Sequence, residues 1–169
     1  MKVDPDLVSG QVIINILRPG FISKEDLEIA FPDPNITVHY SQKEKNLSPG
    51  MRFKHYRIDA EIQIIQQAKE ILLEVGIPTA IIATKERLAQ QQIQAKFAAE
   101  NTQLSSKLLL LERGTETNLA SCAHNLFALY HHCQQQGIKK LYIQQLPEQG
   151  LGFAIMNRVK RSAEKDDNQ

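Results

Sequence analysis

The run Ser48-Pro49-Gly50-Met51-Arg52-Phe53-Lys54-His55-Tyr56 places Arg52, Lys54 and His55 beside Phe53 and Tyr56, directly behind a Pro-Gly pair. Guanidinium, ammonium and imidazole groups donate to phosphate or carboxylate oxygens, and aromatic rings stack on bases. Pro-Gly suits the two central positions of a type II turn, where Pro presets φ and Gly accepts a positive one. No helical apolar face follows, so the segment reads as extended. Alternate side chains then send Arg52, Lys54 and Tyr56 to one side and Met51, Phe53 and His55 to the other. The same residues suit a solvated basic connector, and spacing alone leaves both readings open.

Other candidates are weaker. Arg113-Gly114-Thr115 lies where a predicted strand hands over to a helix, so Gly114 and Thr115 mark a possible anion site. One glycine at such a turn is also ordinary turn chemistry, and the chain has neither G-x-G-x-x-G nor a phosphate loop. Gly150-Leu151-Gly152, entering the last helix, is equally unspecific. His124 and His131 are spaced to share a helix face, but no His pair has i, i+4 spacing and no Cys-x-x-Cys occurs. The histidines therefore read as mostly exposed. Cys122, Leu126, Leu129 and Cys133 read as an apolar helical stripe. No catalytic residue and no metal ligand is assigned. Asn157-Arg158 on the final helix suits either a favourable cation near a helix C-terminus or a pair that fixes a neighbouring loop or domain.

These residues need elements to position them. Val12 to Leu17 is β-rich, Arg18-Pro19-Gly20 turns the chain, and Ser23-Lys24-Glu25-Asp26 has the capping-box pattern. A short helix to Phe31 and a strand Ile36–Tyr40 follow. Such a piece is too small to bury its own apolar face. After a polar connector, Asp59 reads as an N-cap for an amphipathic helix from Ile62 to Val75. Its face would be Ile65, Ala68, Leu72 and Val75, with Gly76 as the stop. Strands at 78–83, 107–112 and 140–144 then alternate with helices from Thr84 to about Asn101, from about Thr117 to Gln136, and from about Gly150 to Ala163. Short apolar strands between amphipathic helices predict a parallel sheet covered on both faces.

Composition narrows the classes. At 169 residues, with 42% apolar and 23% charged, the chain suits one domain plus an appendage, or two small units. A net charge of +1 gives no global field toward nucleic acid or membrane, so an anion site must be local. The longest aliphatic run, Leu108 to Leu111, is far too short to cross a bilayer, and the N-terminus has no signal-peptide apolar core. Cys122 and Cys133 would sit about 16 Å apart on one helix, beyond disulfide reach. A reduced, cytoplasmic protein is the expectation.

Taken in order, Leu17-Arg18-Pro19-Gly20, the Ser48–Tyr56 run, Asn125-Leu126-Phe127, and Leu146-Pro147-Glu148-Gln149-Gly150-Leu151-Gly152-Phe153-Ala154-Ile155-Met156-Asn157-Arg158 resemble one family. The chain is similar to the C-terminal part of the two-domain threonylcarbamoyl-AMP synthases. Those enzymes join a YrdC-like catalytic domain, through a linker, to a smaller Rossmann-like domain. The resemblance implies that residues 1–40 are a strand-helix-strand remnant of the YrdC-like domain and 41–60 an extended linker. It implies further that 61–165 form a small three-layer Rossmann-like α/β domain with a mostly parallel sheet, and that 166–169 are a disordered tail. The family makes L-threonylcarbamoyladenylate from L-threonine, bicarbonate and ATP for tRNA threonylcarbamoyladenosine modification, so ATP and Mg2+ are the implied cofactors. By resemblance, Arg52, Lys54, His55 and Tyr56 contact substrate or ATP when the linker closes. Arg18, Asn157 and Arg158 would position the domains.

Most of the catalytic domain would lie ahead of Leu17, so the chain is expected to be inactive alone and to work with a YrdC-like domain in trans. Neither direct nucleic-acid binding nor a membrane is expected. The alternative is a free-standing nucleotide-sensing or protein-interaction α/β module that uses the Gly114 crevice. A tRNA-binding adaptor comes third, opposed by the near-zero net charge.

Overall fold

The computed structural model describes residues 1–5, 10–41, 58–90 and 107–164. The chain divides into two compact units, one comprising Met1–His55 with Pro147–Asn157 and the other Tyr56–Leu146 with Arg158–Gln169.

The first unit contains strands β1 (Lys2–Pro5), β2 (Val12–Ile16) and β3 (Ile36–Tyr40) and helix α1 (Lys24–Ala30). β2 is central, antiparallel to β1 and parallel to β3, with Ile14 opposite both Val3 and Val38. Period-two alternation puts Ile14, Ile16 and Val38 on one face, where they form a small core with Leu27 and Tyr40 packed against it. Tyr40 also stacks at a tilt on Phe153, with ring centroids 4.8 Å apart.

The predicted capping box starts α1. Asp26 N–H donates to Ser23 Oγ at 3.1 Å, and Ser23 N–H donates back to Asp26 Oδ2 at 2.8 Å. The Ser23 amide, and after it the Ser23 hydroxyl donating to Asp26 Oδ2 at 2.8 Å, hold the Asp26 carboxyl below its ordinary value. The core is small, and much apolar surface stays in water: Phe21 and Ile29 are 76% and 78% exposed, and Val3, Ile22 and Phe31 are exposed too.

The second unit is a four-stranded, all-parallel sheet of β4 (Glu61–Ile65), β5 (Thr79–Ala83), β6 (Leu108–Glu112) and β7 (Lys140–Gln144), in the order β4-β7-β5-β6. Helices α2 (Lys85–Leu88) and α3 (Leu119–Gln135) belong to this unit, and α4 (Gly150–Ala163) contributes residues to both units. Every residue of β5 and β7 is buried, as expected of central parallel strands covered on both faces. The connections β4→β5 and β6→β7 run in opposite directions across the sheet, and with the usual right-handed crossover they cover opposite faces. One face carries the cluster Ile65, Ile71, Ile81 and Tyr142. α3 buries Cys122, Leu126, Tyr130 and Cys133, so Tyr130 takes the place foreseen for half-buried Leu129.

One element differs from expectation. The span predicted as a helix from Ile62 to Val75 is strand β4, followed by a single 3-10 turn at Ala68–Glu70. Its β-branched run Ile62-Gln63-Ile64-Ile65 pairs residue by residue with β7, from Glu61↔Lys140 to Ile65↔Gln144. Ile65 and Ile71 do enter the core, but Leu72 and Val75, meant for the same helical face, are 64% and 72% exposed. Asp59 is no N-cap; its carboxylate meets Lys139 Nζ at 2.7 Å. Thr84 does cap a helix, through Arg87 N–H, but α2 ends at Leu88, and the rest of the span foreseen to Asn101 passes outside the described residues after Gln90.

Candidate functional site at the carboxyl edge of the parallel sheet

The carboxyl ends of the four strands bring together Gln66 and Gln67, Gln144 and Gln145, Thr84 to Arg87, and Arg113 to Glu116. This edge of an open parallel sheet is where such folds hold ligands. Its floor is polar and buried. Thr84 N–H donates to Gln144 Oε1 at 2.8 Å, Gln144 Nε2 donates to Glu116 Oε1 at 3.2 Å, and Arg113 Nη2 donates to the Gln144 carbonyl at 2.6 Å. Arg113 stands at the end of β6 and Gln144 at the end of β7, so the guanidinium reaches across β5 and braces three strand ends.

Arg113 is the unexpected residue. Among the described residues it is the largest fully buried side chain, and its Nε and Nη1 find no hydrogen-bond partner there. Burial lowers its pKa to about 10, opposed in part by Cys122, Tyr130 and Glu116. Burial also raises the pKa of the neighbouring Cys122 thiol, and pushes the Tyr130 phenol up more strongly. Asn125 Nδ2 donates to the Arg113 carbonyl at 3.1 Å, so the Asn125-Leu126-Phe127 motif ties α3 to the end of β6. Phe127 meets Tyr130 edge to face, with ring centroids 6.3 Å apart.

Gly114 is required by geometry. Its φ is +139°, and a Cβ there would stand 2.2 Å from Ser121 Oγ and 3.0 Å from Cys122 N. The turn therefore presses directly on the first turn of α3. Asn118 caps that helix, its Oδ1 accepting from Ser121 N–H at 3.2 Å, and Thr115 bridges to Asn118. Around Gly114 and Thr115, the helix start is thus served by the chain's own side chains. Two carboxylates lie alongside: Glu86 Oε2 accepts from Glu116 N–H at 3.1 Å. Its own backbone amide, then that of Glu116 and the Thr84 hydroxyl, hold the Glu86 carboxyl below its usual range.

The opposite end of the same edge is basic. A cleft of about 320 Å³ lies between the turn after β4 and helix α2, lined by Gln67, Ala68, Lys69, Arg87 and Gln90. Arg87 Nη1 donates to Gln90 Oε1 at 2.9 Å, and Nη2 donates to the Gln66 carbonyl. Glu70, the nearest acid in sequence, accepts from the Gln66 and Gln67 amides at 3.1 and 2.6 Å. Sequence reasoning gave none of these lining residues a binding role, because the turn and α2 meet only through the sheet.

The remaining sequence candidates fall elsewhere. Arg52, Lys54, His55 and Tyr56 lie outside the described residues, as does the Pro49-Gly50 turn. Arg18 is half-buried in the turn after β2. Asn157 and Arg158 are half-buried on α4, Asn157 closing the first unit's segment and Arg158 opening the second's. His124, His131 and His132 are exposed on α3, and Cys122 and Cys133 are free thiols buried there. Among the described residues, no group of His, Cys, Asp and Glu is placed to hold a metal ion, and no helix is long and apolar enough to cross a membrane.

A parallel sheet with crossovers on both faces and a polar carboxyl edge defines the second unit as a Rossmann-like α/β domain. Two solved structures share this fold. Pyrococcus abyssi Sua5 complexed with L-threonine aligns at TM-score 0.50 and 21% identity, over 94% of this chain and 44% of that one. A double-alanine variant of the same protein, with a histidine and a tyrosine replaced, gives TM-score 0.50 and 21% identity over 88% and 41%. The sequence matches the family "Threonylcarbamoyl-AMP synthase, C-terminal domain" over residues 22–164, and the chain belongs to that family. Curated threonylcarbamoyl-AMP synthases from Pyrococcus abyssi and Bacillus subtilis are 23% and 24% identical to it, each over 88% of this chain. The chain spans 42% and 41% of the length of those relatives.

Proposed function

We propose that this chain is the linker and accessory domain of a threonylcarbamoyl-AMP synthase, acting with a YrdC-like catalytic domain. The observation that carries this reading is the family match over residues 22–164, together with the small share of the relatives' length that the chain spans. The first unit supports it physically. Its three-stranded sheet has a minimal core, both outer strands are edges, and Phe21, Ile22, Ile29 and Phe31 are left in water. Unpaired edges and exposed apolar groups favour association with further protein.

In this reading the catalytic domain binds ATP, Mg2+, L-threonine and bicarbonate. Arg52, Lys54, His55 and Tyr56 of the linker close over the reacting carboxyl and phosphate groups, excluding water and stabilising negative charge. Arg18, Asn157 and Arg158 fix the relation of the parts. The product would serve tRNA modification in the cytoplasm, without direct contact between this chain and tRNA.

The test measures ATP-dependent pyrophosphate release in the presence of L-threonine and bicarbonate. The chain alone should release none, and adding it to a YrdC-like protein of the same organism should raise that protein's rate. Tyr56→Ala should abolish the increase. Release by the chain alone, or no effect on the YrdC-like protein, overturns the reading.

A further inference from the structure

We infer that the cleft between the turn after β4 and helix α2 is a phosphate-binding site of the Rossmann-like unit, with Lys69 and Arg87 as its cationic ligands and Gln67 and Gln90 as amide donors. Three independent features point there. The first is position: the cleft flanks the carboxyl end of β7, which sits between β4 and β5 in the sheet, where parallel α/β sheets hold ligands. The second is size and chemistry. About 320 Å³ is at the lower end of small-molecule sites, and among the described residues two cations and two amides line it. The third is the charge asymmetry of the edge. Glu86 and Glu116 make the β6 end acidic, while the cleft over β7 is basic.

At Gly114 the backbone is pressed against Ser121 and Cys122, and Asn118 Oδ1 already accepts from Ser121 N–H at the start of α3. Within the cleft, Arg87 is held by the Gln66 carbonyl and the Gln90 amide oxygen. A guanidinium has five N–H donors, so two such bonds orient the fork and leave others for an oxyanion. Among the described residues the cleft lining includes no aromatic ring to offer a face for base stacking. The recognised element is the phosphate itself, free or as the ester of a small molecule. This site belongs to the second unit alone and does not depend on a catalytic partner.

The experiment titrates the full chain with inorganic phosphate, pyrophosphate and AMP. It follows the Arg87 Nε–H and the Gln67 and Gln90 side-chain amides by nitrogen–proton correlation spectra. Millimolar binding of phosphate is expected, with AMP shifting the same resonances. Lys69→Gln and Arg87→Gln should each weaken phosphate binding by at least about fivefold, the loss of one partly solvated charge-assisted contact. Lys139→Gln, an exposed lysine of the same unit, should leave it unchanged. The far-ultraviolet circular dichroism of all three variants should match the parent, since Lys69 and Lys139 are exposed and Arg87 is half-buried on a short helix. Absence of shifts at these resonances overturns the inference. So does a Lys139→Gln loss equal to that of Arg87→Gln, which would mean diffuse surface charge.

Discussion

Replacing Gly114 with alanine probes the tightest point of the second unit. A Cβ on this residue would lie 2.2 Å from Ser121 Oγ, 3.0 Å from Cys122 N and 3.1 Å from Ser121 Cβ. The hydroxyl can rotate away, but the Cys122 amide belongs to the backbone of α3 and can retreat only if the helix moves. Two costs add. Holding a non-glycine residue at φ +139° costs about 1–3 kcal/mol. Overpacking a filled contact costs about another 1–3 kcal/mol. The expected loss is therefore about 2–6 kcal/mol, a large part of the roughly 5–15 kcal/mol that stabilises a typical domain.

The control is Gly137→Ala. Gly137 has φ +69° with nothing within 4 Å of the added carbon, so only the left-handed backbone cost of about 1–2 kcal/mol applies. Urea unfolding followed by circular dichroism compares the two, and hydrogen exchange of the β6 and β7 amides confines the effect to the second unit. Ser121→Ala in the Gly114→Ala background should recover only part of the loss, because the backbone contact persists. If Gly114→Ala proved no more destabilising than Gly137→Ala, the close approach of turn and helix would be refuted.

Three further outcomes are expected. Tyr142→Phe removes the hydroxyl that donates to the Leu72 carbonyl at 2.6 Å and accepts from its N–H at 2.9 Å; it should cost about 1–2 kcal/mol and speed exchange of the Leu72 amide. Ile65→Ala in β4 should cost about 2–4 kcal/mol by urea denaturation while Val75→Ser costs under about 0.5, whereas equal losses would restore a helix with both residues on its buried face. Because the Asp26 pKa is lowered on folding, its contribution is present above the unfolded value near about 4 and lost as pH falls through the folded one. Hydrogen exchange in α1 should accelerate across that acidic window in the parent and lose this dependence in Asp26→Asn.

The elements most legible in the sequence were those whose pattern admits one solution. β5 and β7 are short apolar runs buried on both faces, and Ser23 with Asp26 announces a helix start by local chemistry. β4 was misread because Ile65, Ala68, Leu72 and Val75 fit a helical period while Ile62, Ile64 and Ile65 fit a strand. The pairing with β7 decided between them, and its partner lies far away in the chain. The role of Gly114 as a turn residue was visible, but its crowding against Ser121 was not. Arg113 shows the wider reason: an arginine read from sequence belongs to the surface, and only the crossing of three strand ends buries it. Lys69 and Arg87 escaped notice because their meeting depends on the sheet order.

The order β4-β7-β5-β6 also has a bearing on how the chain is made. Within the sheet, β4 pairs only with β7, about 80 residues further along, so it emerges from the ribosome with no partner yet synthesised. The first unit likewise includes Pro147–Asn157, and its Tyr40 stacks on Phe153. The second unit's sheet cannot close during vectorial synthesis until β7 has emerged. The nascent chain thus exposes an apolar β4 throughout elongation, an interval in which a holdase chaperone would have its binding site.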